Sequence, residues 1–352
     1  MNTHDTTLTI VMPVFNHPED TREMIESIRA NTFEAWRLIA VDDGSDRPTL
    51  DMLHEYARKD SRIVVCGRSR QPKGAQTCRN IGLSMATGEY IMFFDSDDIV
   101  APYCLEQRVR AMQRRDDVDF LVFPSAVYDG REMHRGPHAH AYGRHIYADD
   151  IAQFASRRLP FVVWNNIYRT ASLRRHSLTW DESLRSLQDA DFNISALAAG
   201  LRYDYVAARP DYGYRVTSQG SVSKKISGNE HIQSLVYANG KMYDTVRAAW
   251  GGSYDSHLLD GTLCIYNANM SGGGINLPLA ESLAASVMSR VPALGRKLAR
   301  SIRLTRLLGR LLPPRLARQI GVAPYLLRRS LQARLKLRRL AALVAQEESQ
   351  DI

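Results

Sequence analysis

The stretch EYIMFFDSDD, residues 89–98, decides how this chain is to be read. Five apolar or aromatic residues, 90–94, run without a break into Asp95-Ser96-Asp97-Asp98. A short uninterrupted apolar run fits a strand buried on both faces, as in a parallel sheet covered by helices. Side chains alternate along a strand, so Asp95 and Asp97 are expected to point the same way. Two carboxylates together at the end of a buried strand repel each other unless a cation sits between them. Hard divalent cations such as Mn²⁺ or Mg²⁺ take a pair of carboxylates and complete their shell with substrate phosphates. Metal binding at Asp95 and Asp97 is the expectation. A helix N-cap at Asp97 or Asp98 is the plainer alternative, and it explains one acid rather than three.

Working outward, apolar runs at 8–14, 38–41, 63–66 and 120–123 repeat the strand signal, with helical stretches near 19–30, 48–59, 76–86 and 101–115 between them. This alternation predicts an α/β fold, a doubly wound and mostly parallel sheet, followed by a helical C-terminal region. Such sheets bind ligands beyond the carboxyl ends of their strands. Two further strand ends carry the right chemistry. LIAVDDGS, 38–45, delivers Asp42 and Asp43, carboxylates able to accept hydrogen bonds from a ribose or a base N–H, though Asp-Gly-Ser is also ordinary turn chemistry. MPVFN, 12–16, adds a rigid, partly aromatic lip from Pro13, Phe15 and Asn16. Residues 129–147 break the rhythm. Their histidines (134, 138, 140 and 145) match no metal-ligand spacing and read as a solvated loop.

The 352 residues, 44% hydrophobic and 24% charged, exclude a disordered or low-complexity chain. Four widely separated cysteines argue against a disulfide framework or zinc ribbon and suggest a reducing, cytosolic setting. No apolar run reaches the length of a membrane span, and no signal peptide is evident. The net charge of +8 is uneven: residues 290–345 hold 15 Lys and Arg and no acid. The rest carries 31 bases against 38 acids. Three regions follow: 1–225, the α/β part; 226–289, mostly helical; and 290–352, a basic amphipathic tail. Leu294, Leu298, Ile302, Leu308, Leu327, Leu331 and Leu335 recur near helical spacing among the tail's cations. Basic amphipathic helices of this kind lie in membrane interfaces. Peripheral attachment to an anionic membrane is expected; packing on the body and self-association are the alternatives. Nucleic acid is disfavoured because the tail offers one aromatic, Tyr325, for base stacking.

PVFN at 13–16, VDDGS at 41–45, CRNIGLSMATGEYIMFFDSDD at 78–98 and WNNIYR at 164–169, taken in order, resemble family-2 inverting glycosyltransferases of the GT-A fold, over roughly residues 7–225. The resemblance implies a nucleotide-sugar donor, usually UDP-linked, whose diphosphate is held through a divalent metal by a D-x-D motif, and a glycan or lipid-linked acceptor at the cytoplasmic face of a membrane. Carried over by position, Pro13, Phe15, Asn16, Asp42 and Asp43 would cradle the nucleoside, and Arg79 would lie near the uracil or diphosphate. Asp95, Ser96 and Asp97 form the D-x-D motif, Asp97 being the main metal contact. Phe15 stands where tyrosine is more usual.

The same resemblance places a general base at Asp189, with Asp191 as fallback; Gln188-Asp189 replaces the family's Glu-Asp pair. A positioned carboxylate supplies roughly 10²–10⁴-fold in rate. Trp164, Asn165 and Tyr168 would face the acceptor, and Arg215, Ser221, Ser223 and Lys224 would close over the diphosphate. A nucleotidyltransferase of similar fold is the rival enzyme, but it would want a basic, glycine-rich phosphate loop after the first strand, where this chain has Asn16-His17-Pro18-Glu19-Asp20. A catalytically dead, membrane-bound scaffold is the non-enzyme rival.

Overall fold

Along the first strand, Leu8, Ile10, Met12 and Val14 face one way and Thr9 and Val11 the other, and all six are fully buried. A strand apolar on both faces belongs in the middle of a covered sheet, and there it lies. The computed structural model describes residues 7–134, 142–216, 229–268 and 277–349. In chain order, β1 (Leu8–Val14), α1 (Pro18–Arg29), β2 (Trp36–Asp42), α2 (Arg47–Lys59), β3 (Ile63–Gly67), α3 (Ala75–Met85) and β4 (Tyr90–Phe93) keep the expected alternation. Next come β5 (Ile99–Val100), α4 (Cys104–Gln113), β6 (Phe120–Val122), β7 (Ser125–Tyr128), β8 (Met133–His134), α5 (Asp150–Ala155) and β9 (Asn166–Arg169). After α6 (Thr170–Arg175), α7 (Gln188–Ala198), β10 (Tyr203–Tyr205) and β11 (Tyr212–Arg215), the chain is helical: α8 (Asn229–Trp250), α9 (Asp255–Ala268), α10 (Leu277–Arg290), α11 (Pro292–Leu308), α12 (Pro314–Gly321) and α13 (Ala323–Ser349).

The main sheet has seven strands in the order β10-β6-β9-β4-β1-β2-β3. All its pairings are parallel except those of β9, which runs antiparallel to both β4 and β6. The segment WNNIYR thus supplies an interior strand. A second sheet, β5-β11-β7-β8, stands beside it. Gly82 lets α3 lie close on β1: a Cβ there would meet Val11 Cγ1 at 2.3 Å. That contact brings Arg79, one turn earlier on the same helix, to the carboxyl edge of the sheet.

The alternation along the strands sorts most of the core into two large clusters. Leu8, Ile10, Met12 and Phe94 pack with α1, α2 and α4. Val11, Ile91 and Phe93 pack on the other side with Trp180 and Phe192, and this cluster continues through α8, α9 and α10 to Leu294, Leu298, Ile302 and Tyr325. It crosses the boundaries drawn at 225 and 289. The inner face of α11, expected on a membrane, is therefore core. On the first side a fully buried ion pair joins Arg108 Nη2 to Asp211 Oδ1 at 2.6 Å. The same guanidinium donates to the Trp164 carbonyl at 2.8 Å, tying α4 to β11 and to the turn before β9.

Candidate functional site

The loops after β1 and β2 are latched together. Asn16, in the left-handed region at φ 58°, donates its N–H to the Ser45 hydroxyl oxygen at 2.9 Å, and its Oδ1 accepts from the Asp46 N–H at 2.9 Å. Asp42 is buried, and its carboxylate accepts from the N–H groups of Gly44 (2.9 Å) and Ser45 (3.1 Å), so it shapes the turn. Asp43 Oδ1 accepts from Arg68 Nε at 2.7 Å and from the Gly74 N–H at 3.2 Å. Phe15 is 44% exposed, with the Lys73 ammonium 3.5 Å from its ring centroid, and Pro13 is half-buried behind it. Arg68 and Lys73 escaped the sequence reading. Their signal was the run of three cations in GRSRQPKG, 67–74, just before α3.

Past β4 the chain turns at Ser96 and Asp97 into β5. Asp95 is partly exposed and accepts from Arg79 Nη2 at 2.6 Å. Arg79 itself is 2% exposed, its guanidinium 4.5 Å from the Trp180 ring, and Trp180 stacks on Phe192 with centroids 4.3 Å apart. Nε and Nη1 of Arg79 have no hydrogen-bond partner among the described residues. Asp97 reaches solvent at the mouth of this group; enclosure by the protein, then the charge of Asp95, pushes it up to about 6. Asp98 is fully buried, accepting the Tyr212 hydroxyl and the Arg215 N–H, each at 2.7 Å. Burial foremost, then Asp97 and Asp95, holds its carboxyl well above the usual range. Neither acid caps a helix, since α4 begins at Cys104 behind Tyr103.

Among the described residues no set of three or more His, Cys, Asp and Glu gathers as a metal site. The donor set does fit a hard cation. Asp95 and Asp97 are hard oxygen ligands, Arg79 occupies one oxygen of Asp95, and a Mg²⁺-like ion needs only one or two carboxylates when phosphates and water fill its shell.

Asp189 sits in the first turn of α7, behind Leu187, which holds a left-handed φ of 63° as the residue before the helix. It is thus no N-cap. Its Oδ1 is buried without a partner among the described residues, and burial pushes the carboxyl up to about 6, Arg79 pulling it down and Asp95 lifting it. Asp191 departs from expectation. Two residues along a helix turn a side chain by about 200°, which sends Asp191 away from Asp189 to a 2.8 Å ion pair with Lys241 of α8. A carboxylate so engaged is no fallback base. Lys241 also holds Asp181 at 2.7 Å.

The acceptor-side expectations are corrected by burial. Trp164 stacks on Tyr212 at 4.5 Å and is 3% exposed. Asn165 is fully buried, its amide donating to the Phe123 carbonyl at 2.8 Å and accepting from the Val162 N–H at 3.0 Å. The fully buried Tyr168 donates its hydroxyl to Asn193 Oδ1 at 3.2 Å. None offers a face to a sugar. Arg215 is likewise engaged elsewhere, donating to the Asp97 carbonyl and to Glu23 at 2.6 Å each, so it braces the acidic loop and has no free face for a diphosphate. Ser221, Ser223 and Lys224, with His138 and His140, lie outside the described residues.

The model of glycosyl transferase family 2 matches residues 9–180. EpsH of Bacillus subtilis, a glycosyltransferase by name, is 28% identical over 211 residues, 59% of this chain and 60% of that protein. A poly(ribitol-phosphate) beta-glucosyltransferase of Bacillus spizizenii is 25% identical over 215 residues, 60% of this chain and 33% of its own length. The match thus spans less than two thirds of EpsH and about one third of the glucosyltransferase. Among solved structures, residues 1–349 of TarS from Staphylococcus aureus, in complex with UDP-GlcNAc, share the fold with a TM-score of 0.67 at 16% identity, over 98% of this chain and 92% of that one. The fold is of the GT-A type. The two acidic strand ends and Arg79 all lie within residues 9–180, the segment over which the chain matches glycosyl transferase family 2.

Proposed function

We propose that the protein moves a sugar, with inversion, from a nucleotide sugar to a hydroxyl of a glycan or lipid-linked acceptor, with Asp189 as general base. The observation that carries this reading is the buried, unpartnered Oδ1 of Asp189 across Arg79 from Asp95. A buried polar atom without a partner is costly, and orphaned groups of opposite charge on Asp189 and Arg79 suit a site completed by ligand. Asp189 takes the acceptor hydroxyl proton as that oxygen bonds to the sugar C1; the bond from C1 to the phosphate oxygen breaks on the opposite side, and the nucleoside diphosphate leaves with the electron pair. Phe15 offers its exposed ring to the base, while Lys73 and Arg68 supply positive charge beside the nucleotide. Asp97 and Asp95 would hold a divalent cation, Mn²⁺ or Mg²⁺, which when bound offsets the charge of the diphosphate.

TarS binds UDP-GlcNAc and UDP in its solved structures, which supports a UDP-linked donor here. The poly(ribitol-phosphate) transferases among the relatives support a polyol-phosphate or similar glycan acceptor. Four cysteines without a disulfide support a cytosolic setting. Incubation with a panel of UDP-, GDP- and dTDP-sugars and Mn²⁺ tests the reading. Slow metal-dependent release of one nucleoside diphosphate is expected; no turnover with any donor would favour the scaffold. Release of pyrophosphate from a nucleoside triphosphate would favour the nucleotidyltransferase.

A further inference from the structure

Among the described residues thirteen large hydrophobic side chains are exposed, and nine of them fall between 304 and 337. Leu304, Leu307 and Leu311 follow one stripe of α11 and its exit; Leu327, Leu331 and Leu335 follow one stripe of α13. Both helices also own a buried stripe. In α11 Leu294, Leu298 and Ile302 are buried. At 100° per residue they lie opposite the exposed leucines. In α13 Tyr325, Leu340 and Val344 are the buried counterparts. Each helix therefore has two apolar faces, only one of which the fold uses. Exposed apolar surface on this scale marks an interaction site.

The charges beside it select the partner. Arg300, Arg303 and Arg310 border the exposed stripe of α11, and Arg334 and Arg338 that of α13, all exposed. None of the five has a carboxylate within ion-pair distance among the described residues, whereas Arg328 pairs with Asp260 and Arg306 with Glu281. No acid lies anywhere in 290–345. A second copy of this face would meet the leucines but bring cations against cations. A nucleic acid would meet the cations but not the leucines. An anionic lipid surface satisfies both. Among the described residues no helix is long and apolar enough to cross a membrane, so the contact is interfacial.

We propose that the outward stripes of α11 and α13 lay the protein on an anionic bilayer, leucines at the acyl boundary and arginines among the headgroups, while their inner stripes stay in the core. This surface does not depend on the sugar-transfer reading. Co-sedimentation of the full chain with vesicles tests it, comparing equimolar phosphatidylcholine and phosphatidylglycerol with phosphatidylcholine alone. Binding to the anionic vesicles is expected, weakening as salt rises. The variants L304Q/L307Q/L311Q and R300Q/R303Q/R310Q should each reduce partitioning at least tenfold, about fivefold per cation being the usual worth of one charge at such a surface. Both should keep the melting temperature and donor turnover of the parent. Undiminished vesicle binding by both variants would overturn the proposal. So would a leucine variant that shifts the mass from dimer to monomer in light scattering while binding vesicles as before, because the stripe would then belong to a second copy.

Discussion

Replacing Asp189 by asparagine separates the chemistry of the site from its architecture. The two side chains are nearly isosteric, and no hydrogen bond to Asp189 Oδ1 exists to be lost among the described residues. Burial raises this carboxyl from 3.8 to about 6. A raised carboxyl pKa means that the folded protein binds the proton more tightly than the unfolded chain. Stability therefore falls as pH rises from about 4 to about 6, and the full cost is present above 6. Two pKa units correspond to at most about 3 kcal/mol, less whatever solvent reaching the partly exposed side chain recovers.

Asp189→Asn should accordingly melt higher than the parent at pH 7.5 and match it below about pH 4. Its transfer rate should fall by roughly 10²–10⁴ with donor affinity retained. In the parent, the acid limb of the rate should bend near pH 6 and drop about tenfold per unit below it, as a single protonation requires. Calorimetric titration with donor, a pH–rate profile at saturating donor and thermal melts at two pH values make the comparison. Transfer surviving within about tenfold, or an acid limb that persists unchanged in the variant, would refute the assignment of the base.

Asp97→Ala should abolish metal-dependent donor binding by calorimetry while leaving the melting temperature close to that of the parent, because this residue is exposed at the surface. Asp211→Asn should destabilise the fold by roughly 3–5 kcal/mol in urea, since it strands the fully buried Arg108 guanidinium without its counter-charge. Deleting residues 290–352 should give aggregated rather than soluble protein, read by gel filtration. It removes Leu294, Leu298, Ile302 and Tyr325 from the shared core, at roughly 1.5–3 kcal/mol for each large apolar side chain, a loss comparable with the whole stability of a typical domain.

Local patterns carried much of this molecule. Runs such as YIMFF and LIAV are apolar at consecutive positions, and only a strand covered on both faces satisfies them, so the alternation of strands and helices and the two acidic strand ends were legible from residues near one another in sequence. Asp189 was proposed through family resemblance, and the tail's cations were noted through plain counting. What stayed hidden depends on pairings between distant residues. WNNIYR looks the same in a loop as in an interior strand; its pairing with Tyr90 and Phe120 buries Trp164, Asn165 and Tyr168 and removes them from the acceptor side. Asp189 and Asp191 look interchangeable in the sequence until α8 brings Lys241 to one of them. The same holds for the leucines of α11, which share one helical period. Only the position of the helix against α9, α10 and α12 decided that Leu294, Leu298 and Ile302 close the core while Leu304, Leu307 and Leu311 face outward, because helical periodicity says which residues share a face and not which face finds a neighbour.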